Sequence, residues 1–258
     1  MLENYDLYTL TVLAVDGIFV GFISGLFAIG GGTAVVPVVS TLLPYSSKVA
    51  VGISVMQMVF SAFYNSYLNY KNKKLNIKQG IFPCLGGLIG GFSIGYVMKI
   101  ANDIAISYLV LIMLTWAIIK FYFSPTNSNK AENNNKFLHF ILGLLVGAIA
   151  TSAGIGGAML LTPALIAFCN FELKKAAAIS GLFVAFSATS AFISMSYSGY
   201  IDYTAGAIIG FASLFGVKIG NYCFLKTTNS LQKKLMICFY LIMFSLALIK
   251  VIKQHGVF

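Results

Sequence analysis

Apolar residues run along this chain in long blocks separated by short polar stretches, at roughly 8–43, 48–69, 80–99, 104–123, 137–169, 175–197, 204–222 and 232–252. Most blocks approach the ~20 residues that a helix needs to cross a bilayer core. The pattern predicts an all-α polytopic membrane protein. The first block is too long for one span and a little short for two. A glycine-proline segment interrupts it, Gly21 to Pro37, and a second such segment, Gly147 to Pro163, aligns with the first without gaps at an offset of 126 residues. Helix-breaking backbone at membrane depth is tolerated only where it is packed in protein or lines a watery cavity, so paired breaks in two halves point to a transport site.

The same offset persists beyond the glycines. Ile23/Ile149, Ile29/Ile155, Gly30/Gly156, Gly31/Gly157, Lys48/Lys174, Ile53/Ile179, Ser54/Ser180, Phe60/Phe186 and Ser61/Ser187 are identical, and Gly80/Gly206 and Gly90/Gly216 keep the register. This predicts an internal duplication: a first transmembrane repeat over 1–125, a polar connecting loop over 126–136 and a second repeat over 137–258. Two topologies compete for the first block. Either helix 8–28 turns at the glycines and short helix 33–43 returns to the starting face, with three further spans per half, or helix 8–28 crosses fully and the short piece re-enters from the far side. The hairpin scheme puts twelve lysines on one face and four on the other, a clear positive-inside bias; the rival divides them almost evenly. An odd number of crossings per half makes the halves inverted repeats.

At 59% hydrophobic and 9% charged, the chain carries more apolar surface than one soluble core could hide. Its net charge of +10 comes from seventeen lysines and no arginine, placed between apolar blocks. With no continuous basic face this is a topology signal, and no nucleic-acid partner is expected. Glu3 and Asp6 precede the first apolar run without a lysine, unlike a cleaved secretory leader. Cys84, Cys169, Cys223 and Cys238 have no CxxC spacing and read as small buried side chains, and His139 and His255 are too few for metal ligation. No cofactor, metal or catalytic set is expected.

In an inverted pair the two tips would bring two helix N-termini together, each with unpaired N–H groups and the positive end of a dipole, where anions bind. Gly30, Gly31, Gly32 and Thr33 in the first tip and Gly154, Gly156, Gly157 and Ala158 in the second are candidate substrate-binding residues. Pro37 and Pro163 come too late in the short helices to be first-turn residues and read as helix-break elements. The competing reading is that small residues only permit close packing, which suits Gly86-xxx-Gly90 and Gly216-xxx-Gly220. Without arginine, an anion relies on backbone N–H groups, hydroxyls, amides and at most one lysine. Ser54, Ser61, Thr151, Ser152, Thr162, Ser180, Ser187 and Thr189 are further hydroxyl candidates, although helix backbone commonly satisfies such groups. Gln57 and Asn65 lie eight residues apart on nearly one helix face, where an amide facing lipid would be costly. Asp16 and Lys218 are charges inside apolar blocks: Asp16 is a candidate proton carrier and Lys218 a candidate anion contact or partner of Asp16. The alternative is that Asp16 is shallow and hydrated while Lys218 snorkels to the interface.

Gly-x-x-x-Gly-x-x-x-Ile-Gly-Gly-Gly at 21–32 followed by Pro37, repeated as Gly147 with Gly154-Ile-Gly-Gly157 and Pro163, resembles the TauE/SafE family, the sulfite exporter group of membrane proteins. The likeness extends along the whole chain. It implies a permease or exporter of a small sulfur oxyanion or organosulfonate in the inner membrane, coupled to protons; with two inverted halves, alternating access is the mechanism expected. The partners implied are the lipid bilayer, the anion and protons. The rivals are an uncoupled anion channel or facilitator and a membrane assembly partner without transport. The second copy departs from the pattern at Thr151, where the first has Gly25, and at Ala158, where it has Gly32.

Overall fold

The computed structural model describes residues 6–100, 103–123, 131–152, 154 and 156–254. Among them are eleven helices: α1 (Leu7–Phe27), α2 (Gly32–Leu42), α3 (Ser47–Lys71), α4 (Ile77–Gly91), α5 (Ile94–Ile100), α6 (Asp103–Phe123), α7 (Lys136–Ser152), α8 (Ala158–Cys169), α9 (Leu173–Tyr197), α10 (Tyr203–Lys226) and α11 (Asn229–Gln254). Five described helices are long and apolar enough to cross a membrane: α1, α3, α4 with its continuation to Val97, α9 and α10. The protein is an all-α polytopic membrane protein.

Local chemistry sets the helix ends. Asp6 opens α1 by accepting a hydrogen bond from the Thr9 amide at 2.9 Å, and Asp202 caps α10 by accepting from Thr204 and Ala205. The block expected as one helix over 80–99 is instead two, α4 and α5, parted at Phe92 and Ser93. The Ser93 hydroxyl donates to the Gly90 carbonyl at 2.7 Å, and the Phe92 carbonyl accepts from the Ser194 hydroxyl. Two consecutive glycines before the break give little propensity to resist it.

Helix directions follow from which residues face each other. Along α1, Gly17, Gly21 and Gly25 meet Ile209, Ser213 and Val217 of α10 in turn, so the two helices run the same way. α3 runs with them: Gly206 lies on Met56, Gly210 on Phe60, and Asn221 bonds to Asn65 and Asn69. α4, α7 and α9 form a second parallel set, in which Gly143 and Gly147 of α7 face Pro83 and Gly87, and Gly87, Gly91 and Gly95 face Phe183, Ser187 and Ser194. The sets oppose one another. Lys174 at the start of α9 bonds to the Leu225 and Thr227 carbonyls at the end of α10, and Phe192 near the end of α9 meets Tyr203 at the start of α10.

Contact is at its tightest between α1 and α10 and between α4 and α7. A Cβ at Gly21 would stand 2.1 Å from the Ser213 carbonyl oxygen, and one at Gly86 2.2 Å from that of Phe140. With lipid outside, no hydrophobic drive brings helices together, and this backbone-to-backbone approach supplies the dispersion contact that does. α6 and α11 pack on each other, with Phe121 edge-on to Tyr240. Of the cysteines, Cys84 and Cys169 are buried, Cys223 is half-buried and Cys238 is exposed on α11, where a small apolar thiol suits a lipid-facing surface.

The segments around Lys73, Lys74, Lys174, Lys175 and Lys233 meet at one end. Lys175 pairs with Glu132 at 2.7 Å, Gln79 reaches Asn134, and Lys233 donates to the Tyr122 carbonyl. Lys48 lies at the other end, over the Tyr200 ring. Lys130 and the first part of the connecting loop, 126–130, lie outside the described residues.

Candidate functional site

The two glycine breaks are the same backbone built twice. φ is 55° at Ala28 and 69° at Gly154, 83° at Gly30 and 78° at Gly156, 74° at Gly31 and 70° at Gly157, each pair separated by 126 residues. Left-handed values at neighbouring positions end one helix and start the next within four or five residues, a path that glycine follows without the Cβ penalty. Gly31 and Gly157 are the N-caps of α2 and α8, and neither helix has a side-chain cap. In the first turns the Ala34 amide bonds to the Gly31 carbonyl, and the Ala158 and Leu160 amides bond to those of Gly156 and Gly157, while no side chain accepts from the remaining first-turn amides. α2 then doubles back along α1, so that Leu13, Val20, Val35 and Val39 share one apolar cluster. Pro37 and Pro163 sit inside α2 and α8.

The tips touch. A Cβ at Gly32 would lie 2.7 Å from the Gly154 carbonyl oxygen, and Ser54 bridges the pair, its hydroxyl 3.1 Å from the Gly32 oxygen and 3.4 Å from that of Gly154. Side chains at equivalent positions of α3 and α9 reach across: Met58 lies against Gly156, and Val184 against Gly30. The same geometry explains why the first copy keeps glycine at 32, where the second has Ala158. A Cβ on Gly32 would collide with Met58, Ser54 and the opposite tip.

Around the tips α3 supplies a polar stripe. Ser54, Gln57, Ser61 and Asn65 recur at helical spacing and all are buried. Ser61 hydrogen-bonds to the Gly30 and Met58 carbonyls at 3.4 Å. Gln57 is fully buried and neither atom of its amide has a partner; the Ser180 hydroxyl is in the same condition. Ser180 is the counterpart of Ser54, which does have partners, so one hydroxyl of an equivalent pair is engaged and the other is spare. Ser187 and Thr189 bond to carbonyls of their own helix, as does Thr151 to Gly147. Thr162 is buried. The side chains of Thr33 and Ser152 lie outside the described residues.

Asn65 is spoken for. Its amide donates to the Ser24 carbonyl at 3.0 Å and its oxygen accepts from Asn69 and from Asn221, which also donates to Asn69. This buried amide triad ties α3 to α10. Nearby, Gln232 donates to the Leu26 carbonyl at 2.7 Å. None of Asn69, Asn221 and Gln232 stands out in the sequence, because an amide near a helix end reads as interfacial.

Asp16 is buried on the face of α1 that also carries Leu13 and Val20, and its Oδ2 has no partner. Lys218 is exposed on α10. Gly17, next to Asp16, faces Ile209, so Lys218 lies nine residues farther along α10, roughly 13 Å at the helical rise. The structure does not bring the two charges together.

A model of the family described as sulfite exporter TauE/SafE matches residues 13–247. A Bacillus subtilis protein named "Probable membrane transporter protein YunE" is 23% identical over 235 residues, covering 81% of this chain and 86% of the relative. A Methanocaldococcus jannaschii protein, also named a probable membrane transporter protein, is 25% identical over 235 residues, covering 85% and 88%. A third, from Haemophilus influenzae, is 26% identical over 241 residues, covering 84% and 90%.

Proposed function

Because the chain belongs to the sulfite exporter TauE/SafE family and is a multi-pass membrane transporter, we propose that it carries a small anion, a sulfur oxyanion or organosulfonate, between the opposed tips of α2 and α8 in the inner membrane. The observation that carries this reading is Gln57. A fully buried amide with neither polar atom partnered costs about 1–3 kcal/mol or more, a cost that a bound ligand or an ordered water would relieve. It stands on the stripe that touches both tips, together with the spare Ser180 hydroxyl on the facing helix.

Chemistry suits the cargo. Helix N-termini of α2 and α8 without a side-chain cap, one carboxamide and a hydroxyl present hydrogen-bond donors without a fixed positive charge. A small oxyanion needs several donors and no bidentate guanidinium, and the chain has no arginine. Met58 and Val184 lie against the tip glycines, as an occluded form of the site would require. For an anion to reach the amides, the tips must part and the Met58 side chain must swing aside.

Alternating access by two inverted copies is supported by helix direction: α1, α3 and α10 oppose α4, α7 and α9, so each of α1, α3 and α4 opposes its own counterpart in the second half. One copy rocking against the other would open the tips to each face in turn. Asp16, a buried carboxyl with an unpartnered oxygen, is the group to carry the coupling proton.

The test is counterflow of sulfite, thiosulfate and sulfonates in proteoliposomes, for the unaltered protein and for Gln57→Leu. The variant is expected to lose at least about tenfold in uptake while remaining as stable or more so, since an unsatisfied polar group is gone. Unaltered counterflow in Gln57→Leu, or no counterflow with any anion in the native protein, would overturn the assignment. Flux that ignores an imposed proton gradient would favour an uncoupled facilitator.

A further inference from the structure

At the lysine-rich end, well away from the tips, lies a cleft of about 310 Å³. The loop after α3 supplies Lys73, Lys74 and Asn76, and the segment opening α9 supplies Glu172, Lys174 and Lys175. α3 and α9 are the most enclosed spans, with 67% and 78% of their apolar windows buried against 44% to 56% for the other three. A cleft at their shared end therefore opens over the middle of the molecule and not over its lipid-facing rim.

Its charges are unbalanced. Lys175 is neutralised by Glu132, and Glu172, the acid in the lining, already accepts a hydrogen bond from Asn229. Lys174 is partly buried, spends its ammonium on the carbonyls that end α10, and feels both the repulsion of Lys74 and the attraction of Glu172, which leaves the lysines of the cleft in excess over Glu172 and Glu132. Among the described residues Lys73 and Lys74 form no ion pair. Holding like charges around one hollow costs energy that a multiply charged anion would return. Ammonium groups, as compact point charges, suit a tetrahedral oxyanion approached from any side.

We propose that this cleft is a second oxyanion site, a vestibule that gathers the free doubly charged anion on the lysine-rich face before it reaches the tips or after it leaves them. Its role in transport rests on the anion reading above; the binding itself does not. Clefts of one charge sign raise local anion concentration and entry rates by one to three orders of magnitude, an effect that salt removes.

The probe is inorganic sulfate, and the readout is acetylation of individual lysines followed by mass spectrometry on the full chain in detergent. At sulfate roughly ten times its dissociation constant, Lys73 and Lys74 should react about tenfold more slowly than in chloride of equal ionic strength. Lys99, exposed at the opposite end of the molecule, should react equally in both salts. Equal rates at Lys73 and Lys74 in the two salts would overturn the proposal. A second arm compares nanodiscs of phosphatidylcholine with nanodiscs containing phosphatidylglycerol, both in chloride. Protection by the anionic lipid and none by sulfate would overturn the free-anion site in favour of a headgroup. Gln57→Leu, which disables the tips, should keep the sulfate protection, and Lys74→Gln should lose it at Lys73 and flatten the salt dependence of uptake. Protection without transport by the native protein would sink the carrier reading alone, whereas transport without protection would sink the vestibule alone.

Discussion

Tyr240 of α11 donates its hydroxyl to the Met159 carbonyl of α8 at 3.1 Å. Met159 is four residues before Pro163, and proline has no N–H, so this carbonyl has lost the donor that a regular helix would give it. The tyrosine replaces that donor from another helix in a fully buried setting. A break in one short helix is thereby mended by a helix more than seventy residues away in sequence.

Tyr240→Phe should accordingly destabilise the fold by about 1 kcal/mol, within the range of interhelical hydrogen bonds in membranes. In a Pro163→Ala background the residue at 163 regains its amide, and the same change should cost markedly less. Thermal unfolding of the four variants as a double-mutant cycle reads the coupling; a cycle without coupling would mean that the hydroxyl does not serve the proline gap.

Gly157→Ala should be costly where Gly181→Ala is not. Gly157 has φ of 70° and an added Cβ would come within 2.6 Å of the Phe183 ring, whereas the nearest atom to a Cβ at Gly181, Ala28 Cβ, is 3.4 Å away. The left-handed conformation alone costs an alanine about 1–2 kcal/mol, while alanine in the helical setting of Gly181 gains up to about 1 kcal/mol. Denaturation in mild detergent should separate the two variants by about 2 kcal/mol or more. Equal stability would show that the tip backbone relaxes freely.

Asp16→Asn keeps the size of the side chain and removes the one carboxyl of α1. Anion uptake driven by a proton gradient should fall to the level seen without the gradient, while exchange at equilibrium persists. Gradient-driven uptake at the native rate would remove Asp16 from coupling.

Asn221→Ala takes away two donors from the α3–α10 joint, leaving the oxygens of Asn65 and Asn69 short of partners in a buried site. A loss of about 1–3 kcal/mol is expected. Asn72→Ala, on the exposed end of α3, should change stability by no more than about 0.5 kcal/mol. If the two variants unfold alike, the triad is not a structural joint.

By itself the sequence determined that the chain lives in lipid, where most of its helices lie and where the two glycine tips break them, though not the break at Phe92 and Ser93 that parts α4 from α5. Those properties depend on local composition: apolar length fixes the spans, and consecutive glycines at 30–32 and 156–157 fix the turns, whatever packs around them. The offset of 126 residues likewise announced that both breaks would share one backbone, and their φ values agree within 14°. Contacts between distant residues depended on helix direction and rotation, which only the tertiary structure decided. It set Met58 and Val184 across the tips from the opposite copy, bound Asn65 into a triad with Asn69 and Asn221, and left Gln57 and Ser180 without partners. It also kept Asp16 and Lys218 apart and exposed Lys218, because a charge within an apolar run can face either core or lipid and its spacing does not say which.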